Sequence, residues 1–231
     1  IPNRLLGYES FLESYPEHRE NLTLVLVVVP SRTAVERYAQ LKKHIDELVG
    51  SINGKYGTIG WTPIWYLYRS LPFESLVALY TMADIALVTP LRDGMNLIAK
   101  EYVATRTKGK GVLILSETAG AARELGESLI INVNNPEDVA EAMARALRMP
   151  QKNQIEANRA MQKRLQHHDV GRWASEFLER LVHTRSLQDE IEARGLIGNS
   201  KDQLIQEFQS AQSRLLLLDY DGTLVPFSTK P

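Results

Sequence analysis

Five short apolar segments, each separated from the next by a segment with helical periodicity, constrain the fold of this chain most strongly. They occupy residues 22–29, 64–68, 85–89, 112–116 and 129–133. A continuous apolar run of this length predicts a strand that is covered on both faces. Such strands, alternating with helices through short connections, predict an α/β fold with a doubly wound parallel sheet.

The intervening segments predict helices and set the expected domain limits. In chain order, we expect helices over about 33–52 and 72–83, a third from about 97 onward, a fourth over 119–126, and a fifth that ends at 149. Asn135 and Pro136 predict the start of the last of these, since asparagine is a frequent N-cap and proline suits the first helical position. The sheet domain should cover 1–150, and C-terminal helices should extend it to 182. Residues 183–212 predict a helical linker, and 213–231 begin the first strand and motif of another domain.

Composition excludes several partner classes. The 27 basic and 28 acidic residues give a net charge of −1, which predicts neither a nucleic-acid nor a membrane partner. The chain has no cysteine, no signal peptide at its start and no apolar run long enough to span a bilayer, so we expect a cytoplasmic protein. The opening residues predict a helix already under way, and we therefore expect the full protein to be longer.

The stretch PLRDGMN, residues 90–96, predicts a ligand site. It follows a strand and precedes a helix, and ligands of doubly wound sheets bind beyond the carboxyl ends of the strands. A helix N-terminus favours a diphosphate, and Gly94 allows close approach of the backbone. Asp93 can accept hydrogen bonds from sugar hydroxyls. Glu101, about two helical turns further on, can accept two hydrogen bonds from a ribose diol. Sites for a diphosphate, a sugar and a ribose together indicate a nucleotide sugar.

Simpler interpretations stay open at this point. Asp93 could only cap the helix, and Glu101 could be a solvated side chain on its surface. The run His167-His168-Asp169 has no third spaced metal ligand, so surface or capping roles are expected there.

The chain resembles the trehalose-6-phosphate synthases. The resemblance rests on INGKYGTIGWTPIWYLYRSLPFESLVALY, ALVTPLRDGMNLIAKEYVA and VLILSETAGAARELG, and it covers nearly all of 1–182. It implies the Rossmann-like second, donor-binding domain of a GT-B glycosyltransferase. The implied reaction transfers glucose from UDP-glucose to glucose 6-phosphate with retention of configuration and without a cofactor. The resemblance leaves two assemblies open, a homo-oligomer and a synthase–phosphatase complex.

The resemblance also assigns roles to individual residues. Asp93 matches the acidic residue that holds the hydroxyls of the transferred glucose, and Glu101 matches the ribose ligand. Leu71 matches the lining of the uracil pocket, and Arg32 matches an arginine that grips the acceptor's phosphate. Unaided, the residue pattern favours a surface arginine at position 32. The turn whose backbone amides meet the donor sugar and phosphate matches Gly94, Met95, Asn96 and Leu97.

Part of the family's active site would lie before Ile1. The resemblance implies an upstream arginine and lysine that neutralise the donor diphosphate, and an acceptor domain with a histidine near the sugar. We therefore expect these 231 residues alone to be inactive. Two alternatives stay open, namely a non-catalytic regulatory homologue and another nucleotide-sugar glycosyltransferase of the same architecture.

The segment LLLLDYDGTLVPF, residues 215–227, resembles the first motif of haloacid-dehalogenase-type phosphatases. By that resemblance Asp219 is the nucleophile, Asp221 is the acid/base, and both lie at a magnesium site with oxygen ligands. The lysine and the later acidic motif of such enzymes are not in this sequence. We expect magnesium only in a complete phosphatase domain of the full-length protein.

Overall fold

The structure, a computed structural model, describes residues 1–30, 36–167, 170–193, 198–215 and 217. Arg32, Asp219 and Asp221 lie outside these residues, as do His168 and Asp169. Contacts within the chain divide it into two units, Ile1–Asp169 and Val170–Pro231, which are described separately below.

The described part of the first unit contains five parallel strands, and each lies inside one of the predicted apolar segments. They are β1 (Leu24–Val27), β2 (Ile64–Leu67), β3 (Ile85–Val88), β4 (Val112–Ser116) and β5 (Leu129–Ile131). Hydrogen bonds join them as a β1-β2 sheet and a β3-β4-β5 sheet. The predicted parallel α/β architecture is confirmed, although the sequence alone predicted one sheet and the described strands form two hydrogen-bonded ladders.

Helices connect and cover these strands. In the first unit they are α1 (Pro2–Ser14), α2 (Glu36–Tyr56), α3 (Phe73–Met82), α4 (Leu97–Ala104), α5 (Pro136–Arg148) and α6 (Gln151–His167). The predicted start of α5 is confirmed, because the Asn135 side chain accepts hydrogen bonds from the amides of Glu137 and Asp138. The predicted helix over 119–126 is wrong. A four-residue 3-10 helix, Gly120–Arg123, forms there instead, and the amide of Gly120 bonds to the carbonyl of Asp93 in a neighbouring loop.

Strand β4 shows why the sequence needed a continuous apolar run. Successive side chains of a strand point to opposite faces. Val112 and Ile114 belong to a buried cluster formed with α1, α2 and α5, whereas Leu113 and Leu115 belong to a second buried cluster formed with α4 and α6. Both faces of the β3-β4-β5 sheet are therefore covered by helices.

Helix α6 is held against this sheet by an ion pair as well as by apolar contacts. The Arg164 guanidinium donates two hydrogen bonds to the Glu127 carboxylate, at 2.7 and 2.6 Å, just before β5. On the neighbouring helix, Lys100 pairs with Glu124 at 2.7 Å. Arg164 holds the pKa of Glu127 below its ordinary value, because its hydrogen bonds stabilise the charged carboxylate.

The second unit contains two described helices, α7 (Val170–Ala193) and α8 (Asn199–Ser210). On α7, Trp173 and Phe177 have stacked rings with centroids 5.5 Å apart. Helix α7 continues through residue 182, where the sequence predicted the start of a linker. The domain limits at 182 and 212 stay predictions. No helix in the described part of the chain combines the length and apolarity needed to cross a membrane.

The paired geometry of Arg164 leads to a pH-dependent prediction. Arg164→Met should lower the free energy of unfolding by about 1 kcal/mol at neutral pH, a modest value because both partners are partly exposed. A carboxyl whose folded-state pKa is depressed contributes stability above its ordinary pKa, and this contribution is lost as pH falls through the lowered value. The difference between variant and parent in urea denaturation should therefore shrink at pH values below about 4.3.

Arg159→Met is the matched control. Arg159 lies on the same helix and is exposed, and its side chain makes no hydrogen bond or ion pair with another described residue. Its substitution should change stability little at any pH. A loss for Arg164→Met that stays constant down to strongly acidic pH would show that the Glu127 pair is not its source.

Candidate functional site

The predicted site lies beyond the carboxyl end of β3, where hydrogen bonds hold the next two residues, Thr89 and Pro90. Thr89 is buried and accepts a hydrogen bond on Oγ1 from Nε of Arg4, at 2.9 Å. The carbonyl oxygen of Pro90 accepts hydrogen bonds from the hydroxyls of Ser116 and Thr118, both at 2.8 Å. Helix α1 and the end of β4 therefore fix the direction in which the chain leaves β3.

The loop after β4 extends the parallel pairing into the site. Asp93 and Ala119 form an isolated parallel bridge. The amide of Asp93 donates to the carbonyl of Thr118 at 3.3 Å, and the amide of Gly120 donates to the carbonyl of Asp93 at 2.7 Å. A Cβ atom at Gly120 would collide with the carbonyl oxygen of Gly94, so only glycine fits at this contact.

The Asp93 carboxylate closes the turn before α4. Its Oδ1 accepts hydrogen bonds from the amides of Met95 and Asn96, at 3.0 and 3.1 Å, and its Oδ2 accepts one from Nδ2 of Asn96 at 3.0 Å. These bonds, led by the one from the Met95 amide, hold the pKa of Asp93 below its ordinary value. Asp93 is thus a charged carboxylate with a fixed orientation.

Asn96, not Asp93, is the N-cap of α4. It has left-handed backbone angles, φ 69° and ψ 87°, which asparagine tolerates better than most residues. Its Oδ1 accepts a hydrogen bond from the amide of Ala99 at 3.0 Å, while its Nδ2 faces Asp93. The sequence suggested a cap at Asp93, and the structure moves that role by three residues.

Two of the four predicted backbone contacts have free amides in the structure. The amides of Met95 and Asn96 already bond to Asp93, whereas those of Gly94 and Leu97 have no acceptor among the described residues. Gly94 is exposed, with no atom within 4 Å of the position that a Cβ would take, and Leu97 is 59% exposed. Together with the positive end of the α4 dipole, these amides can bind an anion or a sugar oxygen.

Glu101 lies on α4, just over one turn from the first helical residue, Leu97. The spacing of about two turns was counted from Asp93, which lies in the turn before the helix and not in the helix itself. Its side chain is exposed, and its Oε2 accepts a hydrogen bond from the hydroxyl of Tyr80 on α3, at 3.0 Å. Sequence reasoning gave Tyr80 no role in the site and missed this contact. A tyrosine on an otherwise aliphatic helix face was the available signal.

The other predicted site residues are less well defined by the structure. Leu71 is half-buried and lies between β2 and α3, beyond the carboxyl end of β2. Arg32 lies outside the described residues. The structure thus brings together the 93–96 turn and Glu101, since the turn leads directly into the short helix α4, on which Glu101 lies. No group of three or more histidine, aspartate or glutamate side chains in the described part of the chain could hold a metal ion.

The contact at Gly120 leads to a steric prediction with a control in the same loop pair. Gly120→Ala should lower the free energy of unfolding by about 1–3 kcal/mol, because its methyl group would push the loop away from the 93–96 turn. Gly94→Ala, which meets open space, should change it by less than about 0.5 kcal/mol. Urea denaturation measures both, and a loss for Gly120→Ala as small as the one expected for Gly94→Ala would show that the loop can move away from the turn without cost.

Comparisons with known proteins identify the family and the fold. The family model of glycosyltransferase family 20 matches residues 1–183. A bifunctional trehalose-6-phosphate synthase/phosphatase from Thermoproteus tenax is 51% identical over 233 residues, which cover 100% of this chain and 32% of that protein. The chain therefore spans about a third of the length of this relative.

Two solved structures have the same fold. A structure from E. coli bound with UDP-2-fluoro glucose is 40% identical, with a TM-score of 0.75 over 78% of this chain and 40% of that chain. An α,α-trehalose-phosphate synthase (UDP-forming) from Burkholderia xenovorans, in complex with glucose-6-phosphate, is 36% identical with a TM-score of 0.75 over the same shares, 78% and 40%. With its parallel α/β fold and a family match over 183 residues, the chain belongs to glycosyltransferase family 20.

Proposed function

We propose that the protein containing this chain transfers glucose from UDP-glucose to glucose 6-phosphate, which gives trehalose 6-phosphate and UDP. In this proposal the first unit binds the donor. The observation that carries the proposal is the arrangement of Asp93, the exposed amides of Gly94 and Leu97, and Glu101 around the N-terminus of α4. Relatives bound with UDP-2-fluoro glucose and with glucose-6-phosphate support the choice of substrates.

The donor-binding roles follow the chemistry of each group. The carboxylate of Asp93 would accept a hydrogen bond from a hydroxyl of the transferred glucose. The amides of Gly94 and Leu97 would meet oxygens of the sugar and diphosphate, while Met95 and Asn96 shape the turn through Asp93. Glu101 would accept hydrogen bonds from the ribose diol.

Two further residues complete the proposed substrate contacts. Leu71 would pack against the uracil ring, for which an apolar side chain after β2 is suitable. Arg32 would bind the acceptor's phosphate, since a guanidinium can donate two parallel hydrogen bonds to phosphate oxygens.

The proposed reaction needs little covalent participation from the described residues. We assign no side chain of this chain as a covalent nucleophile for a transfer with retention. The contribution of the chain would be to hold donor and acceptor in a productive geometry and to stabilise the charge that develops on the departing UDP. The helix dipole and free amides at the start of α4 are placed to do this.

The role of Glu101 can be tested in the full-length protein. Glu101→Ala should weaken UDP binding by about one to two orders of magnitude, because it removes charge-assisted hydrogen bonds worth about 1.5–3 kcal/mol. Isothermal titration calorimetry with UDP measures the change. An unchanged dissociation constant would remove Glu101 from the donor site.

Arg32→Ala provides the reciprocal control. It should raise the KM for glucose 6-phosphate and leave the UDP dissociation constant nearly unchanged, since a clamp on the acceptor's phosphate does not touch the nucleotide. A variant with equal losses for both ligands would have a general folding defect or a different role. A regulatory homologue without catalytic activity would bind UDP and show no transfer with any acceptor.

A second function is proposed for the C-terminal end of the chain. The T. tenax relative is a bifunctional synthase/phosphatase, and its match includes every part of this chain. This supports the interpretation of Asp219 and Asp221 as the first motif of a phosphatase domain that removes phosphate from trehalose 6-phosphate. Two carboxylates are hard oxygen donors of the kind that magnesium prefers, and this donor set fits that ion.

The phosphatase proposal has its own test. Asp219→Asn in the full-length protein should abolish magnesium-dependent release of phosphate from trehalose 6-phosphate, because the amide cannot act as the nucleophile. Synthase activity should stay largely unchanged, since the sequence places Asp219 in a different domain. Phosphate release that survives the substitution would refute the assignment, and no release from the unmutated protein would identify the domain as a structural remnant.

A further inference from the structure

The hydrogen bond between Tyr80 and Glu101 joins two neighbouring helices at the donor site. The hydroxyl of Tyr80, on α3, donates to Oε2 of Glu101, on α4, at 3.0 Å. The Tyr80 ring is half-buried and packs against the apolar cluster that contains Val88, Ala99 and Val103. The position of this hydroxyl is therefore set by core packing, whereas the Glu101 carboxylate that it meets is exposed.

No other described group fixes the Glu101 carboxylate. The adjacent Lys100 points to Glu124 instead, at 2.7 Å, and no cation in the described ranges lies within ion-pair distance of Glu101. An exposed glutamate rotates about three side-chain torsions, and ordering it upon binding costs conformational entropy. The bond from Tyr80 reduces this cost, because it orders the carboxylate before a ligand arrives.

We propose that Tyr80 is a positioning residue for recognition of the donor's ribose, acting through Glu101. This inference rests on the proposed function, in which Glu101 accepts hydrogen bonds from the ribose diol. An ionised carboxylate has about four acceptor sites, of which Tyr80 occupies one. Oε1 and the remaining site on Oε2 are then free, which is enough for both hydroxyls of a ribose.

The chemistry of Tyr80 suits this role at neutral pH. Burial, together with the hydrogen bond to Glu101, raises the pKa of its hydroxyl above the ordinary value. The hydroxyl therefore stays protonated and remains a donor.

The inference predicts selectivity for the sugar of the nucleotide, because Tyr80 acts only through Glu101. UDP offers two ribose hydroxyls to Glu101, whereas 2′-deoxy-UDP offers one. Loss of the Tyr80 hydroxyl should therefore weaken binding of UDP more than binding of 2′-deoxy-UDP. A purely structural role for Tyr80 would weaken both ligands equally.

The test is a double-mutant cycle in the full-length protein, with binding of UDP and 2′-deoxy-UDP measured by calorimetry. Tyr80→Phe keeps the ring and removes the hydroxyl, and it should weaken UDP binding by about threefold to tenfold. The preference for UDP over 2′-deoxy-UDP should fall. In the Glu101→Ala background, Tyr80→Phe should cause no further loss, since its partner is gone.

Tyr8→Phe is the matched control. Tyr8 lies on α1, outside the site, and its hydroxyl donates a hydrogen bond to the carbonyl of Pro63 at 3.0 Å. Loss of this hydroxyl should lower stability and leave the nucleotide preference unchanged. Loss of UDP affinity in Glu101→Ala but not in Tyr80→Phe would overturn the inference about Tyr80 and leave the proposed ribose contact of Glu101 intact. Equal losses for both nucleotides, or a further loss in the Glu101→Ala background, would also overturn it. No loss in Glu101→Ala would overturn the proposed ribose contact as well.

Discussion

Strand β4 is the element on which the rest of the first unit depends. It is hydrogen-bonded on both edges, to β3 and to β5, and all of its residues from Val112 to Ser116 are buried. Its alternate side chains enter two separate apolar clusters, so two layers of helices pack on one strand. Because burial of apolar surface is the main stabilising term in folding, the position of β4 fixes both layers.

The geometry of the candidate site depends on this strand. Parallel pairing of β3 and β4 continues past the ends of both strands as the bridge between Asp93 and Ala119. The hydroxyls of Ser116 and Thr118 fix the carbonyl of Pro90 from the same side. A loop that would otherwise be free is thereby attached to the most buried part of the sheet, and few conformations remain for the 93–96 turn. This is preorganisation in a physical sense, because folding has already met the cost of ordering the site.

The sequence predicted the elements of this fold well and their close contacts poorly. Apolar runs and helical spacing located the described strands, and PLRDGMN located the site, because these features depend on local pattern. The short 3-10 turn at Gly120–Arg123 was not predictable from AGAARELG, whose alanines favour a helix. The bond from the amide of Gly120 to the carbonyl of Asp93 beside this turn joins residues 27 positions apart, which local sequence pattern does not show. The contact of Tyr80 with Glu101 was missed for the same reason, since packing of α3 beside α4 is a property of the folded chain.

The structure also removes a conflict between two interpretations of Asp93. The carboxylate closes a turn, and in the proposed function it meets a sugar hydroxyl. Of about four acceptor sites on a carboxylate, bonds from the amides of Met95 and Asn96 use those on Oδ1, and Nδ2 of Asn96 uses one on Oδ2. The remaining site on Oδ2 can accept one hydroxyl.

Because Asn96 is held in turn by the amide of Ala99, the free lone pair of Asp93 has a direction set by the start of α4. A carboxylate that was not used in the turn would have more acceptor sites and no fixed direction. The structural role of Asp93 is therefore what would make it selective for a hydroxyl in one position. Glu101, with a single bond from Tyr80, keeps the capacity for two hydroxyls that a ribose diol requires.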